Sequence, residues 1–338
     1  MTNQEIILTN RPLGLPKPDD FRVQDCDVQA VEDGYILVKT VYLSVDPYMR
    51  GRMTESRSYI APFELGKPLN GGMVGQVVES RSTNFHVGDY VAGQWSWRRY
   101  NVVKADQRVS KLDPSVAPPS TALGILGLTG LTAYLGLTKI GNPQAGETVV
   151  VSGAAGAVGS VVGQIAKLLG CRVVGIAGTS EKLAYIKDEL GFDEAIDYKD
   201  SDNLHKNIRA ACPNGIDVYF DNVGGSVSEA VIYALNDFAR IPLCGQIAHY
   251  NDTNPGQISM NVFHTFVTRR IRLQGFIVSD FFDSFGEAHA TLAKWYQEGK
   301  IKQRETIVEG FEKTPEAFIG LFHGENIGKL LVHVPSEK

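Results

Sequence analysis

The stretch Val149-Val150-Val151-Ser152-Gly153-Ala154-Ala155-Gly156-Ala157-Val158-Gly159 decides how this chain folds. Its β-branched run reads as a buried strand, and the glycines and alanines that follow read as a tight turn opening a helix. Such a turn leaves backbone N–H groups exposed at the positive end of the helix, where a pyrophosphate sits without steric clash. Gly156 lets the backbone approach the phosphates, and Gly159 lets the helix pack close to its strand. Ala154 stands where the usual fingerprint has its first glycine, so the pattern is relaxed. The competing reading is a turn of small residues that merely packs a helix on a sheet.

Outward from that turn, strand and helix patterns alternate, which predicts βαβ units and a parallel sheet. A helix is expected over 157–169, with Val158, Val161, Val162, Ile165, Leu168 and Leu169 on one buried face. A strand over 172–177 leads to a helix over 180–189, with Ser180 as its N-cap. Later strands are expected over 216–221, 239–245 and 271–278. Ahead of Pro118-Pro119-Ser120 the character is different: strand-like segments over 35–45 and 71–79 are broken by Gly, Pro and Asp. The glycines of the second suit a bend or bulge at a barrel corner. A turn at 87–89 leads into another short strand, and a tail strand over 329–334 is expected to return to this first domain. The fold class is therefore α/β in two domains, a β-rich one over 1–125 and 306–338 and a doubly wound nucleotide-binding one over 126–305. A chain of 338 residues has room for both.

Composition narrows the partners. A net charge of −5 without a long basic run excludes nucleic acid and anionic membrane surfaces as expected partners. No apolar stretch approaches ~20 residues free of charge and glycine, so no membrane span is expected. The opening residues carry no basic and apolar leader pattern. Cys26, Cys171, Cys212 and Cys244 are scattered, with no disulfide framework, which fits a reducing cytoplasm.

The second strand of the nucleotide unit selects the cofactor. An NAD site of this type wants an Asp or Glu about 20 residues past the glycine turn, for the ribose 2′-hydroxyl. Gly178 occupies that place. A carboxylate there would repel a 2′-phosphate, whereas glycine leaves room, and Thr179, Ser180 and Lys182 supply hydroxyls and a cation. NADPH is expected, although Lys182 taken alone reads as a solvated lysine of a first helical turn.

A zinc dehydrogenase needs Cys, His and carboxylate ligands converging on one open site. Residues 1–125 offer only Cys26 and His86, and the remaining histidines form no ligand-spaced pair, so no metal site is expected. Hydride transfer without a metal must stabilise developing oxygen charge by hydrogen bonds. Tyrosine suits that role, being neutral at pH 7 and long enough to reach a pocket.

These residues resemble the zinc-independent medium-chain dehydrogenase/reductases, and within them the NADPH-dependent alkenal/one reductases. The resemblance spans essentially the whole chain. It is carried by Ser44-Val45-Asp46-Pro47-Tyr48-Met49-Arg50-Gly51, by Gly127-Leu128-Thr129-Gly130-Leu131-Thr132-Ala133-Tyr134, and by the glycine turn with Ser160-Val161-Val162-Gly163-Gln164. Phe220-Asp221-Asn222-Val223-Gly224-Gly225, Cys244-Gly245-Gln246-Ile247-Ala248-His249-Tyr250-Asn251 and Glu325-Asn326-Ile327-Gly328-Lys329 complete it. It implies a GroES-like β-rich catalytic domain beside a Rossmann doubly wound parallel-sheet domain.

By the same resemblance, Gly156, Ala157, Val158 and Gly159 meet the pyrophosphate, while Lys182 and Tyr198, with Gly178 and Ser180, meet the 2′-phosphate end. Asn222, after a sheet strand, contacts the cofactor, as do Cys244 and Gly245; Asn326 matches an asparagine near the nicotinamide end, and Phe276, Ile277 and Val278 line the nicotinamide pocket with Thr129 nearby. Asn222 also reads as a turn residue and Phe276 as a core aromatic. Tyr250 matches a tyrosine at nicotinamide and substrate, and Tyr59 a second pocket tyrosine; Tyr48 reads as structural. The segment between Tyr250 and Phe276 is expected to be mobile and to shape the substrate pocket.

The implied reaction is metal-free hydride delivery from NADPH to the β-carbon of an α,β-unsaturated aldehyde or ketone, with Tyr250 and Tyr59 at the carbonyl oxygen. An NADPH:quinone reductase is the alternative enzyme, and a non-catalytic NADPH-binding protein the alternative of another class. A homodimer is implied, with the strand expected over 271–278 as its interface.

Overall fold

The computed structural model describes residues 2–253 and 261–336. The chain forms two compact units, one of Met1–Leu123, Glu305–Asn326 and Leu330–Lys338, the other of Gly124–Arg304 and Ile327–Lys329. In the first unit β1 (Asn3–Leu8), β2 (Phe21–Cys26), β3 (Tyr35–Ser44), α1 (Met49–Arg52), β4 (Asn70–Ser80), β5 (Tyr90–Ser96), β6 (Tyr100–Lys104) and β7 (Ser110–Leu112) follow in order. The second unit continues with α2 (Leu128–Leu135), β8 (Thr148–Ser152), α3 (Gly159–Leu168), β9 (Arg172–Ala177), α4 (Ser180–Ala184), β10 (Glu194–Asp197) and α5 (Leu204–Ala211). It is completed by β11 (Ile216–Phe220), α6 (Gly225–Ile232), β12 (Leu235–Leu243), α7 (Asn261–Arg269), β13 (Arg272–Gly275) and α8 (Phe285–Gln297). The chain then re-enters the first unit through β14 (Glu305–Glu309), α9 (Thr314–His323) and β15 (Lys329–His333).

The first unit carries a seven-stranded sheet in the order β14-β15-β3-β4-β5-β7, with β6 pairing β3, and a separate β1-β2 pair. Leu331, Val332 and His333 of β15 pair antiparallel with Ser44, Leu43 and Tyr42. The β3–β4 register shifts between Thr40 and Tyr42, opposite Gly75. A Cβ on Gly75 would lie 2.5 Å from the Lys39 carbonyl oxygen, so the bulge requires glycine there. Trp97, Met49, Phe311 and Phe318 fill the core beneath.

The second unit is a six-stranded parallel sheet in the order β10-β9-β8-β11-β12-β13. Every residue of β8 is buried, as a central strand covered on both faces demands. Successive side chains serve opposite cores: Val149 and Val151 join Val161, Val162, Ile165 and Leu292, while Val150 joins Ile208, Val227 and Val231. Helices therefore lie on both faces, and the order reverses between β8 and β11. Among the described residues no helix is long and apolar enough to cross a membrane.

Several local expectations change. Helix α3 starts at Gly159 rather than 157, and it is buried nearly all round rather than on one stripe. The polar Gln164 fits inside because its amide donates to the Ser160 and Lys302 carbonyls and its oxygen accepts from the Lys302 amide; Leu168, expected on the buried face, is 40% exposed. Ser180 is not the N-cap: Thr179 has the extended backbone, and its hydroxyl accepts from the Lys182 amide at 3.3 Å. The helix expected over 180–189 is α only to Ala184, and Tyr185–Glu189 tightens no further but widens into a π turn. Strand β13 spans only Arg272–Gly275, since a 3-10 turn begins at Val278.

Candidate active site

The carboxyl ends of β8 and β11 flank the point where the sheet order reverses, the crevice in which α/β folds bind ligands, with the ends of β9 and β12 next to them. Past β8, Gly153 takes a left-handed φ of 59° and makes the tight turn itself, so Ala154 needs no glycine conformation and is fully buried. A Cβ on Gly159 would lie 2.9 Å from the Ala154 Cα, which explains why the helix can begin so close to the strand. Among the described residues the amides of Ala157, Val158 and Gly159 have no hydrogen-bond partner, as expected of a helix start left open for an anion. The Gly328 amide donates to the Ala155 carbonyl at 2.7 Å and clamps the turn from behind.

Beside this turn, β8 and β11 are joined by side chains. The Asn222 amide nitrogen of the backbone donates to the Ser152 hydroxyl at 2.9 Å, and its side-chain Nδ2 donates to the Ser152 carbonyl at 2.7 Å. Asn222 is thus bonded to the end of β8 rather than loose in its turn. The Cys244 and Gly245 amides donate to the Asp221 carbonyl at 2.8 and 3.1 Å, which is why β12 ends at Leu243 instead of 245. A Cβ on Gly245 would lie 3.2 Å from the Tyr250 hydroxyl and 3.3 Å from the Asn222 carbonyl oxygen. Asn222, Gly245 and Tyr250 therefore come together at one spot. The Tyr250 hydroxyl accepts a long bond, 3.4 Å, from the Gln246 amide, so its own proton is left for another acceptor. Burial raises the Tyr250 hydroxyl above the usual phenol value, the Gln246 amide pulls it back and Cys244 adds to the rise. Burial, then Asp221, pushes the Cys244 thiol up to about 12, so it is a neutral thiol.

At the end of β9 the Tyr198 ring lies over Gly178, where a Cβ would come within 2.7 Å of Cζ and 2.8 Å of the hydroxyl oxygen. Gly178 thus admits an aromatic ring as well as leaving room for a phosphate, a pairing the linear spacing of 178 and 198 does not reveal. Burial, then the ammonium of Lys199, lowers Lys182 below the usual lysine value. Two converging cations, the exposed Ser180 and the Tyr198 edge fit the 2′-phosphate of a dinucleotide, and the open amides of the glycine turn fit its pyrophosphate. Lys199 was missed in the sequence because it is separated from Lys182 by a strand; its place directly after Tyr198 was the available signal.

The remaining residues are placed as follows. Phe276 packs edge-on against Phe220 at 6.3 Å, and Val278 is buried in the same core, while Ile277 holds the turn through its amide to Asp280 at 3.2 Å. The Thr129 hydroxyl is bonded to the Gly124 carbonyl at 2.9 Å. Tyr59 and Asn326 belong to the first unit. Tyr59 is 60% exposed on a loop held by Arg52, which donates to the Ala61 carbonyl at 3.0 Å and to Asn70 at 2.7 Å. Burial, then Asp46, raises the Tyr48 hydroxyl far above the usual phenol range. Of the segment expected to shape the pocket, residues 254–260 lie outside the described residues. Among the described residues no group of three or more His, Cys, Asp or Glu side chains could hold a metal ion.

Comparison with known proteins agrees with this geometry. The N-terminal domain of oxidoreductase family matches residues 4–112, and the zinc-binding dehydrogenase family matches residues 157–294. The chain is 44% identical to an NADPH-dependent curcumin reductase of Escherichia coli (strain K12), covering 99% of this chain and 98% of that protein. It is 40% identical to a 2-alkenal reductase (NADP(+)-dependent) of Nicotiana tabacum, over 100% of this chain and 99% of the other. The crystal structure of CurA in complex with NADPH from Vibrio vulnificus superposes with a TM-score of 0.93 at 43% identity, covering 99% of this chain and 100% of that one. A glycine turn with open amides, a strand end without an acid and relatives of this kind together make one conclusion: the chain belongs to the zinc-independent medium-chain dehydrogenase/reductase family of NADP-dependent oxidoreductases.

Proposed function

We propose that this protein uses NADPH to reduce the carbon–carbon double bond of α,β-unsaturated aldehydes and ketones. The observation that carries the reading is Tyr250, whose hydroxyl sits beside Gly245 and Asn222 at the strand ends with its proton uncommitted. NADPH, when bound, supplies the hydride that adds to the substrate β-carbon. Negative charge then arrives on the carbonyl oxygen, and a fixed neutral donor there lowers the barrier more than it stabilises the ground state. Tyr250 is that donor, Tyr59 is the second tyrosine of this reading, and the enolate takes its proton at the α-carbon from tyrosine or water, which completes the reduction. Gly156, Ala157, Val158 and Gly159 hold the pyrophosphate by backbone amides. Lys182, Ser180, Tyr198 and Gly178 accept the 2′-phosphate. Asn222, Cys244, Gly245, Asn326 and Thr129 position the nicotinamide end, against a wall made by Phe276, Ile277 and Val278.

In this reading residues 1–125 and 306–338 form the catalytic domain and 126–305 the NADPH-binding domain. The curcumin and 2-alkenal reductases among the relatives support a conjugated carbonyl as substrate class. The test is an NADPH-oxidation screen over 2-alkenals, enones including curcumin, and quinones, repeated with NADH. Turnover of alkenals and enones with NADPH, and far less with NADH, is expected. Turnover of quinones alone would make it a quinone reductase, and tight NADPH binding without any turnover a binding protein.

The same reading covers assembly and compartment. Strand β13 is exposed along its length and ends the parallel sheet, with no further strand paired to it among the described residues, which supports a homodimer built there. Free thiols at Cys26, Cys171, Cys212 and Cys244 support a reducing cytoplasm.

A further inference from the structure

Asp221 stands just past β11, where the sheet order reverses, and is 3% exposed. Its Oδ1 accepts from the Ser152 hydroxyl at 3.0 Å, the Tyr219 hydroxyl at 2.9 Å and the amides of Val223 and Gly224 at 3.0 Å each. Its Oδ2 accepts from the Ser228 hydroxyl at 2.5 Å. The backbone of the same residue is also fully used. Its amide donates to the Pro242 carbonyl at 3.0 Å, and its carbonyl takes the Cys244 and Gly245 amides. One residue thereby ties together the end of β8, the end of β11, the turn into α6 and the end of β12.

A buried carboxylate is tolerated only when its lone pairs are met by donors, and here five donors converge on it. Two of them are backbone amides of the turn after Asn222, and a third belongs to Ser152, which itself holds Asn222 by two further bonds. The chemistry of the reaction asks nothing of Asp221, since it is enclosed and its lone pairs are spent. A carboxylate that only stabilised the sheet could equally sit at the other end of β11. Asp217 does so: its Oδ2 accepts from the Thr148 amide at 2.8 Å and its Oδ1 from Asn236 at 2.8 Å.

We propose that Asp221 is the positioning residue of the cofactor site, setting Asn222, Cys244 and Gly245 where the nicotinamide half is held. The proposal rests on the NADPH reading above. Asp221 does not touch the adenosine end, so its influence is confined to one half of the ligand. Replacing it with Asn keeps the shape but turns one acceptor into a donor among groups that need an acceptor, and the strand ends lose their common point of attachment.

The test is calorimetric titration of NADPH and of 2′,5′-ADP, which lacks the nicotinamide, into wild type, Asp221→Asn, Ser228→Ala and Asp217→Asn. Asp221→Asn is expected to weaken NADPH at least about tenfold and 2′,5′-ADP less than about twofold. Asp217→Asn is expected to leave both affinities within about twofold even if it lowers the melting temperature. Equal losses for both ligands, or unchanged NADPH affinity, would overturn the assignment. If Asp221→Asn does not fold, Ser228→Ala is read the same way: a smaller loss confined to NADPH supports the assignment, and unchanged NADPH affinity overturns it. Wild type that fails to bind NADPH overturns the cofactor reading itself, and the assignment falls with it.

Discussion

Tyr250 is neutral at pH 7 as any phenol is, and burial extends that range upward, an effect the Gln246 amide partly offsets and Cys244 reinforces. As the value lies above 10.0, the donor form persists to that pH and is lost only beyond it. The kcat of the wild type should therefore show no fall due to this group around neutrality, and a fall due to it should have its midpoint above the ordinary 10.0 of a phenol. Tyr250→Phe should lower kcat/KM for enones about 100-fold, or ~3 kcal/mol of barrier, with little change in NADPH affinity. Steady-state kinetics on several enones check both, and an unchanged kcat/KM would remove Tyr250 from the reaction. Gly178 makes a second point at this scale. Gly178→Asp sets a carboxylate against the 2′-phosphate and a Cβ against Tyr198, so the preference for NADPH over NADH should fall at least about tenfold. Competitive binding of the two cofactors measures it. The missing acid at 178 was legible in the sequence, because it is a matter of spacing along one strand. The Thr179 cap was not: Thr179 and Ser180 are both good caps, and only the backbone conformation separates them.

Elements are joined here by backbone-directed carboxylates as much as by apolar faces. Asp193, after β9, accepts from the Val173 amide at 2.7 Å and from the Lys167 ammonium of α3 at 2.9 Å. Burial alone would raise its carboxyl, yet these donors bring it below the usual 3.8. A carboxyl lowered by folding stabilises the native state above its unfolded value, and that contribution is lost as the pH falls through the lower, folded value. Asp193→Asn should thus destabilise by about 1–2 kcal/mol at pH 7, and the gap between variant and wild type should narrow below pH ~4. Thermal melts from pH 3 to 7 check the sign; a gap that widens in acid would contradict it. Strand positions such as β8 and β9 were legible because a β-branched run between turn residues has one good solution. The all-round burial of α3 was not, because the carbonyl and amide of Lys302 that satisfy Gln164 lie 138 residues away.

The chain forms two units with separate cores, and among the described residues β13 is the last strand of the parallel sheet. Leu273, 44% exposed in the middle of that edge, is the residue whose replacement should matter most to assembly. Wild type should sediment as two chains, and Leu273→Lys as one, because a charge on an edge strand opposes pairing with another edge. A wild-type monomer at micromolar concentration would reject β13 as an interface. From the sequence alone came the α/β class, from its alternating patterns, and the glycine turn and the absence of an acid at 178, each of which depends on neighbours within one element or one turn; Tyr250 was singled out only by the family resemblance. Only the tertiary structure decided that Tyr198 lies on Gly178, that Gly328 clamps the turn, and that Asp221 gathers three strand ends. Those contacts join residues 20 to 173 positions apart, and no local spacing encodes them; they exist because a doubly wound sheet brings its strand ends to one crevice.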